Sequence, residues 1–241
     1  GAATGDSADA LASALMAAIN ANDALEVTAV VDGAASAKVN LTAKHAGEAG
    51  NTIGVALGYF GESLPTGITG AVSAMADGVT NPDLGDAIAA WGNQWFQVIA
   101  LPYTDAVSLS LIETELADRF EPHREIEGQA FAAANASHGA LGTLGESRNS
   151  PHVTIVAATA EPMPVYAKAA ETAAIAAAYA SIDPARPLQD LPYQYCLPAD
   201  EAARFTDQER ELLLFDGIAT TAVDRAGVVK TERLITTSKT N

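Results

Sequence analysis

Four histidines (His45, His123, His138 and His152), one cysteine (Cys196) and 30 Asp+Glu are the residues that could do chemistry here. A metal site needs ligands at short, recurring spacing, and no H-x-H, H-E-x-x-H or Cys/His pairing occurs. A phosphate loop needs glycines at a strand-to-helix turn. No G-x-x-x-x-G-K-[ST] is present, and "GALGTLG" (139–145) lies inside a helix-like stretch. Nucleophilic catalysis is the more tempting reading. "SHGA" (137–140) and "NSPHV" (149–153) place a serine beside His138 and another near His152. A triad needs serine, histidine and an orienting carboxylate. No G-x-S-x-G elbow frames any serine, so a structural role for both histidines is the expectation, with a hydrolase as the competing reading. Cys196, in "YQYCLPAD", reads as a half-buried small apolar residue, and no cofactor is expected.

The densest charged stretch is "RFEPHREIEG" (119–128), with Arg119, Glu121, Arg124, Glu125 and Glu127. Lys230, Glu232 and Arg233 form a second cluster in "VVKTERLI". Mixed charge of this kind is ordinarily a solvated face, and its functional reading is contact with another subunit, where charges fix register more than affinity. The balance of 13 Lys+Arg against 30 Asp+Glu gives a net charge of −17. That argues against nucleic acid and anionic membranes as partners, since both call for basic patches. No run reaches the roughly 18 apolar residues of a membrane-spanning helix.

The elements that would position these residues fall into two parts. Residues 1–80 read as a small α+β unit. It has a helix over 6–21 and β-like runs at Leu25–Val31, Lys38–Ala43, Ile53–Phe60 and Ile68–Met75, punctuated by turn residues. After "ADGVTNPD" strands and helices alternate over 81–241. Helices are expected from Asn81 to Trp91, Asp105 to Phe120, Ser137 to Ser147 with Ser137 as cap, and Pro164 to Ser181. Another spans 205–217 with a Thr206/Glu209 capping box and Gly217 as stop. Buried strands are expected at 96–103, 128–135 and 151–159, and a closing hairpin crosses "RAG". The pattern predicts an α/β sandwich with a mainly parallel central sheet.

Several stretches, in order along the whole chain, resemble the tail sheath proteins of contractile-tailed bacteriophages, in their Mu-like branch. They are "KHAGEAGNTI" (44–53), "MADGVTNPD" (75–83), "ALPYTDAVSL" (100–109), "SIDPARPLQDLP" (181–192), "RFTDQERELLLFDGIAT" (204–220) and "TERLITT" (231–237). The resemblance implies a subtilisin-like fold without a working triad. It implies a structural subunit in the virion tail of a phage or prophage, assembled in the bacterial cytoplasm. Its partners would be other sheath subunits, the tail tube and the baseplate. Family members are longer, so the chain is expected to be a core whose missing outer arms add strands to neighbours. Alone it would stay monomeric or associate weakly. Thr236–Asn241 would then be the poorly packed root of an arm, with Leu234 and Ile235 partly anchored. An outward-facing binding module in 1–80 stays open as a further reading.

Overall fold

The computed structural model describes residues 5–58 and 62–239. The body follows from three consecutive strand–helix units. Strand β3 (Val98–Ala100) leads into α3 (Ala106–Phe120), β4 (Gln129–Asn135) into α4 (His138–Glu146), and β5 (Val153–Ala158) into α5 (Val165–Ile182). The strands are parallel in the order β3-β4-β5. In β4 and β5 nearly every residue is buried, as strands covered on both faces must be.

Successive side chains of a strand point to opposite faces. One face of the sheet, through Ala130, Ala132, Val153 and Ile155, packs on Leu109, Ile112 and Leu116 of α3, Leu141 of α4 and Leu213 of α6 (Asp207–Phe215). The other face, through Phe131, Ala133 and Val156, packs on Val165, Ala169, Ala173 and Ala176 of α5. Alanine on both partners lets α5 approach the sheet closely. The result is a three-layer α/β/α sandwich.

Beyond β5, Ala219 runs parallel to Val156 and bonds Ile155 and Ala157. It opens a hairpin of β6 (Thr220–Val223) and β7 (Val229–Arg233). The proline-broken segment 188–193 lies antiparallel along β7: Thr231 N–H donates to Leu191 O and Tyr193 N–H to Val229 O. Helix α6 starts with the expected capping box, Thr206 and Glu209 bonding each other's backbone N–H groups. It stops at Gly217, whose φ of +81° suits glycine. Ser137 occupies the N-cap of α4, but its side chain makes no capping bond.

The first part consists of α1 (Ala8–Asn20), packed on an antiparallel hairpin of β1 (Val27–Val31) and β2 (Val39–Ala43). Asn20 ties the helix end to the hairpin: its amide accepts from Ala29 N–H and donates to Ala29 O, both at 2.8 Å. The expected runs 53–60 and 68–75 are not strands among the described residues; Tyr59 and Phe60 lie outside them. Leu57, Leu64 and Val72 along this stretch are exposed, and strand propensity without a pairing edge does not make a strand. The expected strand 96–103 is also shorter. It has β4 on one side only, and Ala100 is exposed.

The chain's last described residues pack against the body, against expectation. Thr237 is fully buried. Its N–H donates to Val153 O at 2.9 Å, and its hydroxyl accepts from Ser150 N–H and donates to Ser150 O. Lys239 adds bonds from its N–H to the Asn149 side chain and from Nζ to Gly145 O at 2.8 Å. The outer edge of β5 would otherwise leave Val153 O unpaired, and this segment satisfies it. Leu234 and Ile235 are anchored on the α5 side of the sheet, as expected. Thr240 and Asn241 lie outside the described residues.

Candidate subunit-contact surface

In an open parallel sheet, ligands bind beyond the carboxyl ends of the strands. Here residues 26–51 and 78–81 are tied to that end. Asn81 accepts from Glu48 N–H at 2.8 Å and donates to Asp105, the N-cap of α3, at 2.7 Å. Asn51 pairs both ways with the backbone of Gly78. Tyr166, at the start of α5, meets the His45 ring edge-on at 5.6 Å, and His45 in turn pairs with Glu26 at 3.0 Å. Two of the stretches that carry the family resemblance, 44–53 and 75–83, are therefore the two halves of this tie.

Also at the carboxyl end, Lys168 is fully buried. Its Nζ reaches both Glu161 oxygens at 2.6 and 2.7 Å and Ala157 O at 2.9 Å. Cys196 Sγ lies 3.4 Å from Glu161. Burial pushes its thiol up to about 12, which keeps it protonated, and Cys196 is more deeply buried than the half-buried small apolar residue expected from the sequence.

The amino end is covered at β5 by Thr237–Lys239 and is open at its aromatic rings. Trp95, Phe120 and Phe215 are 56%, 58% and 75% exposed there. The Phe120 ring lies 5.2 Å from His152, which precedes β5, and Trp95 Nε1 donates to Glu127 O at 2.8 Å. Glu121, Glu125 and Glu127 are exposed around these rings. Burial against this cluster holds the His152 imidazole below its ordinary range.

Arg119, expected as a surface contact, is buried at 2% exposure. Its Nε donates to Glu115 at 2.7 Å, and its two Nη groups donate to Gln94 O and Gly92 O at 2.8 Å. It also lies over the Trp91 ring. Arg119 is therefore a clamp that holds the loop after α2 (Gly85–Trp91) to α3. Arg124 is half-buried and pairs with Asp118 at 2.7 Å and Glu115 at 3.1 Å. Lys230 is held by Asp224 at 2.8 Å, and Glu232 by Arg210 at 2.9 Å. Arg233 is exposed, with no partner among the described residues. The structure thus brings Glu121, Glu125 and Glu127 together at the amino end, and leaves Lys230, Glu232 and Arg233 as a separate group on β7.

The catalytic reading fares differently. His138 bonds the backbone oxygen of Glu209 at 3.2 Å and packs edge-on against Phe205. His152 faces Phe120 at the wrong end of the sheet for α/β catalysis. Neither ring has a serine hydroxyl or carboxylate as hydrogen-bond partner among the described residues. No group of three His, Cys, Asp or Glu side chains able to hold a metal occurs among them either. No helix among them is long and apolar enough to cross a membrane. Trp95 escaped the sequence reading, although "WGNQWF" offered a signal: an aromatic pair in a turn outside any periodic element.

This layout defines an α/β domain with large aromatic rings exposed at one end of its sheet. Its family follows from comparison with known proteins. The profile of the phage tail sheath protein central domain matches residues 77–237. The tail sheath protein of the Mu-like prophage FluMu of Haemophilus influenzae is 34% identical over 239 residues, covering 99% of this chain and 48% of that protein. The chain belongs to the phage tail sheath family, and spans about half the length of that relative. A solved sheath tail protein from Desulfitobacterium hafniense matches with a TM-score of 0.48 at 18% identity, covering 71% of this chain and 41% of that one.

Proposed function

We propose that this chain is the body of a non-enzymatic sheath subunit, divided into a unit at 1–80 and an α/β body at 81–241. Copies polymerise around a tail tube and, when the baseplate fires, repack to a contracted state that drives the tube through the host envelope. The protein is made in the host cytoplasm and resides in the virion tail. The observation that carries this reading is the family match over residues 77–237, continued over nearly the whole chain by the prophage relative.

The physics of the body supports it. A three-layer sandwich moves as a unit, while contraction needs two packings of the same outer surfaces that differ by a modest free energy per copy. Contacts between copies would use Glu121, Glu125 and Glu127 on one side and Lys230, Glu232 and Arg233 on another. The non-enzymatic part rests on the dispersed histidines and on the protonated Cys196. Electron microscopy of the full-length gene product expressed alone tests the assembly role: hollow striated tubes are expected, and dispersed globular particles count against it. Treatment with a fluorophosphonate probe tests the rest. No serine should label, and labelling abolished by mutating one serine would restore the hydrolase reading.

A further inference from the structure

The charge distribution of this acidic chain carries a second step, which rests on the sheath reading. Most of its basic side chains are held by its own carboxylates or carbonyls, as Arg119, Arg124, Arg148, Lys168, Arg210 and Lys230 are. Two arginines at the carboxyl end of the sheet keep guanidinium nitrogens without a partner among the described residues. Arg204 uses only its Nε, on Ala199 O at 2.8 Å, and its two Nη groups have no partner among the described residues. Arg225 sits exposed in the turn between β6 and β7, also without a partner among them. Arg204 lines a cavity of about 160 Å³ with Thr159, Phe205 and Val223, floored by the Glu161 that Lys168 neutralises. At the opposite end of the sheet, Glu121, Glu125 and Glu127 have no ion-pair partner among the described residues and flank exposed Trp95 and Phe120.

We infer that these two ends are the two halves of one head-to-tail contact between copies of this chain. The Trp95–Phe120 end of one copy seats its glutamates on Arg204 and Arg225 of the next. Apolar area comes from the aromatic rings on one side and from Phe205 and the half-buried Val223 on the other. Asp200 and Glu201 are exposed beside Arg204 and carry the opposite sign, so a slipped docking sets carboxylate against carboxylate. Charge juxtaposition of that kind fixes register. Because the two surfaces differ, the contact is heterologous and does not close on itself, which gives an open chain of copies.

Charge reversal tests the pairing in the full-length gene product. Arg204→Glu, or the triple change Glu121→Arg/Glu125→Arg/Glu127→Arg, is expected to lower the yield of tubes at least about tenfold. Mixing the two variant proteins should restore tubes, because the intact loop of one meets the intact arginine of the other and the reversed pair meets in the alternate contact. Arg225→Glu, in an exposed turn, repeats the test should Arg204→Glu fail to fold, with the circular dichroism spectrum as the control. Tubes formed at wild-type yield by either folded reversal, or no recovery on mixing, would overturn the contact while the sheath reading stands. Absence of tubes from the wild-type protein would remove both.

Discussion

The two ends of the central sheet have opposite fates, and neighbouring residues show it most sharply. Arg119 and Phe120 close the same helix. Arg119 turns inward and is buried at 2% exposure, while Phe120 projects at 58% from the amino end. At the carboxyl end, where α/β proteins ordinarily keep their ligands, the chain ties down its own first part through Asn51, Asn81 and Tyr166. The comparison teaches that polar residues of a charged stretch need not share its exposure. It also shows that the fold's customary ligand end can carry internal ties while large aromatic rings stay exposed at the opposite end.

The difference can be broken most forcefully at the closed end. Lys168→Met leaves Glu161 as an unpaired buried carboxylate, and should cost about 3–5 kcal/mol in urea unfolding. The double change Lys168→Met/Glu161→Leu should recover most of that loss, because the buried charge goes with its partner. Next comes the inward half of the pair at the end of α3. Arg119→Met orphans Gln94 O and leaves Gly92 O and Glu115 to Arg124 alone, and is expected to cost about 2–4 kcal/mol. Phe120→Ala beside it should change stability by less than about 0.5 kcal/mol. Equal costs would dissolve the distinction between the two faces.

Thr237→Val removes the buried hydroxyl that satisfies both backbone groups of Ser150, and should cost about 1–3 kcal/mol. An unchanged denaturation midpoint would mean that this segment is not packed as described.

The smallest effect is a pH dependence at the amino end. Burial lowers the His152 imidazole below its usual 6.5. As pH falls, the unfolded chain therefore takes up a proton before the folded one does. His152 thus contributes stability that is present above about 6.5 and is lost progressively as pH drops through the lower folded value. Unfolding measured at about pH 7.5 and about pH 5.5 should show this slope, and His152→Gln should flatten it.

Much of the body was legible because local signals agreed with the global pattern. The buried runs of β4 and β5 and the capping box of α6 were readable one residue at a time. The runs at 53–58 and 68–75 were misread because apolar alternation says nothing about whether a pairing edge is available. Arg119 was misread from its company. Counted along α3 instead, Leu109, Ile112, Leu116 and Arg119 continue one stripe at spacings of three and four, and that stripe faces the core. Thr237 had no such signal. Its burial depends on a backbone group of β5 that is distant in sequence, and only the assembled sheet reveals the need for it.

Hydroxyl-radical footprinting of the full-length protein before and after assembly tests the central claim most directly, because it reads the exposed rings themselves. The account predicts that oxidation of Trp95 and Phe120 falls sharply when tubes form, while exposed Leu15 of α1, which is no part of the proposed contact, keeps its reactivity. Tubes in which Trp95 and Phe120 remain as reactive as in the free subunit would contradict it.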